Sequence, residues 1–166
     1  LFARLVAHAD QTDLQLMPNR LRYAYTGTAP LDLSLRQNVE RVLGVVLHNG
    51  YGLTETSPTI SRTLYAVGSN EVNIGTPIPG VEIKIVGADG CESMDGSPGE
   101  LHVRGPNVML GYFRQPELTE AVIDKDGYLN TGDIVSVNSK QEMVVQGRTK
   151  ELIIRSGFNV YPPEIE

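Results

Sequence analysis

At 166 residues the chain can make one domain or parts of two, and its 40% hydrophobic and 20% charged residues are those of a globular protein with ample core material. A net charge of -6 at pH 7, with no basic stripe, excludes a general nucleic-acid binder. Cys91 is the single cysteine, so no internal disulfide forms and a reducing, cytoplasmic setting is expected; no run reaches the length of a membrane span, which leaves peripheral membrane contact and oligomeric state open.

Residues 1–9 place Leu1, Leu5, Val6 and Ala9 at helical spacing, and residues 21–26 alternate enough for a strand that turns at 27–30. Residues 31–43 gather Leu31, Leu35, Val39, Val42 and Leu43 on one helix face, with Asp32 near the positive end. Val45, Val46 and Leu47 read as a short buried strand that breaks off at Asn49, Gly50 and Gly52. Strand, helix and strand make a βαβ unit, hence a parallel sheet. From about Pro77 the texture changes. Short strands are expected at 81–86, 99–105, 127–129, 134–137, 143–146 and 151–155, with one helical insert at 116–123. That spacing predicts a small antiparallel barrel or distorted sheet, so the fold class is α/β plus β-rich, divided at 1–76 and 77–146. The prolines and acids of 161–166 read as a helix entry, and a chain that stops there is expected to be a piece of a longer one.

The chemistry concentrates in three stretches. Tyr51-Gly52-Leu53-Thr54-Glu55-Thr56 follows the second strand, and in an open α/β sheet ligands bind at the carboxyl ends of strands. A ring that stacks on a base, a hydroxyl for phosphate and a carboxylate for a divalent cation suit a nucleotide. The bland alternative is a Gly-rich turn with a solvated Thr-Glu pair. In Thr131-Gly132-Asp133, a carboxylate beside a glycine can accept both hydroxyls of a ribose, or it is simply an Asp in a turn. Gly147-Arg148-Thr149-Lys150-Glu151 sets charges at the mouth of an apolar strand, where Arg148 can reach a ribose or phosphate as a rigid fork. Its alternative is a solvated linker.

Together these stretches resemble the adenylate-forming superfamily of acyl-CoA synthetases, luciferases and peptide-synthetase adenylation domains. The resemblance runs through Thr26-Gly27-Thr28-Ala29-Pro30-Leu31, the Tyr51 stretch, Gly99-Glu100-Leu101 with Gly111-Tyr112, Thr131-Gly132-Asp133, and Gly147 to Pro162. It implies the C-terminal part of a large domain, with a distorted β-barrel subdomain and, at 147–166, a hinge that opens a small C-terminal domain. It further implies that Gly27, Thr28, Ala29 and Pro30 wall an adenine site and that Asn49, Tyr51 and Gly52 frame the base. Thr54 would contact phosphate, Glu55 would hold Mg²⁺, and Asp133 would grip the ribose with help from Arg148. Lys150 would be the pivot, and Gly157 would lie where the pantetheine arm of coenzyme A passes. The implied activity is activation of a carboxylic acid by ATP as an acyl-adenylate, followed by transfer to CoA. Leu53 and the run Ser156 to Pro162 look like acyl-CoA ligases for fatty acids; an amino-acid-activating domain and a non-catalytic remnant are the alternatives. Thr28 departs from the glycine of many members and puts acyl-chain length in question. The family's phosphate loop and distal lysine are expected outside these residues, so the piece alone is expected to be inactive.

Overall fold

The computed structural model describes residues 1–12, 20–27, 31–93, 96–151, 153–155 and 158–160, the last two stretches by their backbone. The order is α1 (Phe2–Thr12), β1 (Ala24–Thr26), α2 (Leu33–Leu43), β2 (Leu47–Tyr51), a 3₁₀ turn (Thr54–Thr56), β3 (Ser61–Arg62), β4 (Thr76–Pro77), β5 (Glu82–Val86) and β6 (Gly99–Arg104). Then come α3 (Pro116–Glu120), β7 (Leu129–Val137), β8 (Met143–Arg148), a second 3₁₀ turn (Thr149–Glu151), β9 (Ile153–Arg155) and β10 (Phe158–Val160).

Asp32 starts α2 as its N-cap: its carboxylate accepts from the Ser34 and Leu35 amides, satisfying donors the helix itself leaves open. The Ser34 hydroxyl and those amides hold the Asp32 carboxyl below the usual carboxylate range. The apolar face of α2 buries Val39, Val42 and Leu43 with Val6 and Ala9 of α1 against Ala24 and Leu47. β1 and β2 pair in parallel, Ala24 opposite Leu47 and Thr26 opposite Asn49, which establishes the βαβ unit. β2 then pairs antiparallel with β3, and β3 with β4.

The second unit is an antiparallel sheet in the order β5-β6-β7-β8. Leu101, Val103, Leu129, Val135 and Met143 alternate inward from it and meet Ile60 and Ile74 from the first unit, so the two sheets share a core. Main-chain bonds from Met143 N to Gly75 O (2.9 Å) and from Ile74 N to Met143 O (2.8 Å) join them. Among the described residues no helix is long and apolar enough to cross a membrane.

Four expectations need correction. The described strands of the second unit form an open sheet, with β5 and β8 at its edges, and no closed barrel. The second strand begins at Leu47, not Val45, so Asn49, Gly50 and Tyr51 lie inside it rather than in the turn beyond. Pairing on both sides, to β1 and β3, holds them extended. The strands expected at 127–129 and 134–137 are one strand, β7, which runs through Thr131-Gly132-Asp133. Its pairing slips register against β6 there, between Asn130 and Ile134, and Gly132 at φ 71° supplies the left-handed residue that such a bulge uses. The helical insert is shorter than expected and ends at Glu120.

Candidate functional site

The carboxyl ends of β1 and β2 point the same way and deliver the first stretch. After Tyr51 the chain passes through Gly52, where a Cβ would stand 1.6 Å from the Pro58 carbonyl oxygen, so this position requires glycine for packing. The 3₁₀ turn that follows is closed by Thr56, which is fully buried. Its Oγ1 accepts from the Leu53 amide at 3.0 Å and lies within donating reach of the Leu53 and Pro58 carbonyls. This local bond leaves Thr54 exposed and Glu55 half-buried at the tip of the turn.

Asp133 is brought to the same strand end by the bulge of β7. It sits opposite Arg148 in the register, and Arg148 Nε donates to its Oδ1 at 2.9 Å. From the other side the Tyr51 hydroxyl donates to Oδ2 at 2.5 Å. The Asp133 side chain is 4% exposed and that of Arg148 58%. An ionised carboxylate offers roughly four lone-pair sites, and these two donors leave part of that acceptor capacity unused. A Cβ built on Gly132 meets nothing within 4 Å, so the positive φ of this residue, not crowding, is what favours glycine there. Burial, and then the Asp133 charge, push the Tyr51 phenol far above its ordinary value, so it stays protonated as a donor.

Glu55 has a partner on a separate loop. The Tyr112 hydroxyl donates to its Oε1 at 2.9 Å, and the Met109 amide donates to its backbone carbonyl at 2.8 Å. Among the described residues nothing donates to Oε2. Groups of three or more His, Cys, Asp or Glu side chains are absent there too, so the described chain offers no closed metal cage. That donor set fits Mg²⁺ bound through one carboxylate and substrate phosphates, the usual arrangement for this ion.

The structure thus brings together some of the expected residues and not others. Tyr51, Asp133 and Arg148 are in direct contact; Thr54 and Glu55 follow on the same turn. Asn49 is buried in β2, its amide donating to the Asn73 carbonyl at 3.2 Å while Oδ1 has no hydrogen-bond partner among the described residues. Gly27 lies just beyond β1, its Cβ position 3.0 Å from the Gly50 carbonyl oxygen. Lys150 is exposed in the second 3₁₀ turn, whose first residue, Thr149, donates to Glu100 Oε1 at 2.9 Å. Thr28, Ala29, Pro30 and Gly157 lie outside the described residues, as does the helix entry at 161–166. Sequence reasoning missed the Tyr51 and Tyr112 hydroxyls as carboxylate donors. It also gave Thr56 no role, although a threonine closing a short turn is a local signal.

The family model described as AMP-binding enzyme matches residues 1–113, more than half of the chain. A long-chain-fatty-acid–CoA ligase of Yersinia pestis is 39% identical over 166 residues, covering 100% of this chain and 29% of its own. A 4-coumarate–CoA ligase 5 of rice, Oryza sativa subsp. japonica, is 40% identical over 152 residues, with 88% and 28% covered. Among solved structures, O-succinylbenzoate coenzyme A synthetase of Bacillus subtilis, in complex with ATP and magnesium ion, superposes with a TM-score of 0.84 at 31% identity, covering 99% of this chain and 33% of that one. The chain spans less than a third of the length of these curated relatives.

Proposed function

We propose, on the ground that this chain belongs to the AMP-binding enzyme family, that the whole protein is an ATP-dependent acid–thiol ligase. It would join a carboxylic acid to coenzyme A by way of an acyl-adenylate. The observation that carries this reading is the buried Asp133 carboxylate, held between Tyr51 and Arg148 where the second strand of the βαβ unit ends. In it Asp133 accepts the two ribose hydroxyls of ATP, with Arg148 beside it, and Tyr51 borders the base with Asn49 and Gly27. Thr54, exposed at the turn tip, bonds a phosphate oxygen. Mg²⁺, held by Glu55, would offset charge on the phosphates. The acid's carboxylate attacks the α-phosphorus and pyrophosphate leaves; the CoA thiol then attacks the acyl carbon and AMP leaves.

The substrate we propose is a fatty acid, in keeping with the long-chain ligases among the relatives and with the run Ser156 to Pro162. The division we propose is an α/β part at 1–76, a β-rich part at 77–146, and a hinge with the start of a small domain at 147–166. The exposed turn around Lys150, directly after the last strand of the sheet, supports a pivot there. The test is ATP–pyrophosphate exchange by the full-length protein with fatty acids of graded length, 4-coumarate and amino acids, followed by CoA-dependent release of AMP. Exchange with a fatty acid, lost in Glu55→Gln, is the expected result. Exchange with amino acids alone, or none with any acid, overturns the reading.

A further inference from the structure

Tyr112 occupies an odd position for a tyrosine. It is 36% exposed and followed by Phe113 at 84%, so its ring adds little to either core. Yet its backbone is fixed on both sides. Its amide donates to Thr119 Oγ1 at 2.9 Å, and its carbonyl accepts from the Gln115 amide at 3.1 Å. Thr119 is itself tied down, donating from Oγ1 to the Gln115 carbonyl at 3.0 Å. The loop that carries Tyr112 is also docked on the 3₁₀ turn and the segment after it, by one main-chain and one side-chain bond. Met109 N bonds the Glu55 carbonyl at 2.8 Å, and Asn107 Nδ2 bonds the Thr59 carbonyl at 2.8 Å. Glu55 is therefore gripped twice by one loop, at its backbone and at Oε1.

From this geometry we propose that Tyr112 is a positioning residue for Glu55: its hydroxyl fixes Oε1 and presents Oε2 as the single oxygen offered to a divalent cation. The inference rests on the reading of Glu55 as a cation ligand. A free glutamate gives up rotamer freedom when it binds an ion, and a prior tether removes part of that cost. Capping one oxygen also favours one-oxygen ligation, which suits the octahedral geometry of Mg²⁺ better than a chelating carboxylate does. Hydrogen-bond partners of metal ligands typically account for about 10- to 100-fold in metal affinity.

The experiment titrates the full-length protein with Mn²⁺ by electron paramagnetic resonance, in the presence of a non-hydrolysable ATP analogue, for wild type, Tyr112→Phe, Glu55→Gln and the double variant. Tyr112→Phe keeps the exposed ring and removes the hydroxyl. It should weaken Mn²⁺ binding about tenfold and leave binding of the metal-free nucleotide unchanged. Glu55→Gln should weaken Mn²⁺ binding further, and the double variant should be no worse than Glu55→Gln. Wild-type Mn²⁺ affinity in Tyr112→Phe, with loss in Glu55→Gln, overturns the tyrosine's role and spares the reading of Glu55. The same loss from Tyr112→Phe in both backgrounds means that it acts through the fold, and also overturns the inference. Wild-type affinity in Glu55→Gln removes the ligand reading, and the inference with it.

Discussion

Removing the Tyr51 hydroxyl isolates the contact on which the ribose reading depends. Tyr51→Phe keeps the ring, and with it any stacking on a base, and deletes only the donor to Asp133 Oδ2. Arg148 still donates to Oδ1, but its side chain is 58% exposed against 4% for Asp133. Water screens an exposed pair, so the buried phenol carries more of the weight. A hydrogen bond to a charged group is worth about 1.5–3 kcal/mol, or roughly 10- to 150-fold in Kd. Without it the carboxylate can turn, and only part of that energy reaches the nucleotide. We expect ATP binding to the full-length protein to weaken at the lower end, about tenfold. The phenol's raised pKa means that the loss is the same at pH 6 and pH 8. The assay is calorimetric titration with ATP and with 2′,3′-dideoxy-ATP. Wild type should lose affinity for the dideoxy nucleotide, while Tyr51→Phe should bind the two nearly alike, because the ribose bonds are already impaired. Equal losses on both nucleotides would mean that Tyr51 acts on the base or the fold, and no loss on ATP would refute the argument.

Three further outcomes follow from other parts of the structure. Leu101→Ala, at a fully buried position in the shared core, should cost about 2–5 kcal/mol in denaturant unfolding; a cost below 1 kcal/mol would show that the two sheets do not pack as described. Burial and then Arg36 lower the pKa of His48, and burial and then Lys84 lower that of His102, so both rings are neutral in the fold. Their contribution to stability is fully present above about pH 6.5 and is lost as pH falls through their folded values; His48→Gln should lessen that loss relative to wild type in unfolding midpoints measured from pH 7 to pH 5. Lys150→Pro fixes φ near about −65° in the exposed turn after β8. In single-turnover assays of the full-length protein it should still form acyl-adenylate but transfer the acyl group to CoA slowly; equal loss in both steps would point away from a pivot.

The βαβ unit was legible because its evidence is local. The face of Leu35, Val39, Val42 and Leu43 reads as a helix from spacing alone, and Asp32 announces its start. The strand after it was misplaced because Val45, Val46 and Leu47 look like the strand, whereas the parallel partner Ala24 pairs with Leu47 and carries the pairing on to Asn49. No property of residues 45–51 encodes that register. Thr131-Gly132-Asp133 failed in a related way. A glycine between polar residues carries the same local signal whether the chain turns or bulges, and only the partners on β6 and β8 distinguish the two. The candidate site was legible as a set of residue types and illegible as a set of contacts. Tyr51 and Asp133 are 82 positions apart and Tyr112 and Glu55 are 57 apart; Tyr51 had an independent use as a stacking ring, and Tyr112 carried no assigned role. What could have raised the question is electrostatic. A carboxylate expected to be buried requires donors from the protein before any ligand arrives. Applied to Asp133 and Glu55, that requirement calls for a hydroxyl or a cation beside each. Tyrosine meets it well at the edge of a site, since it donates without adding charge that a nucleotide's phosphates or a divalent cation would have to accommodate.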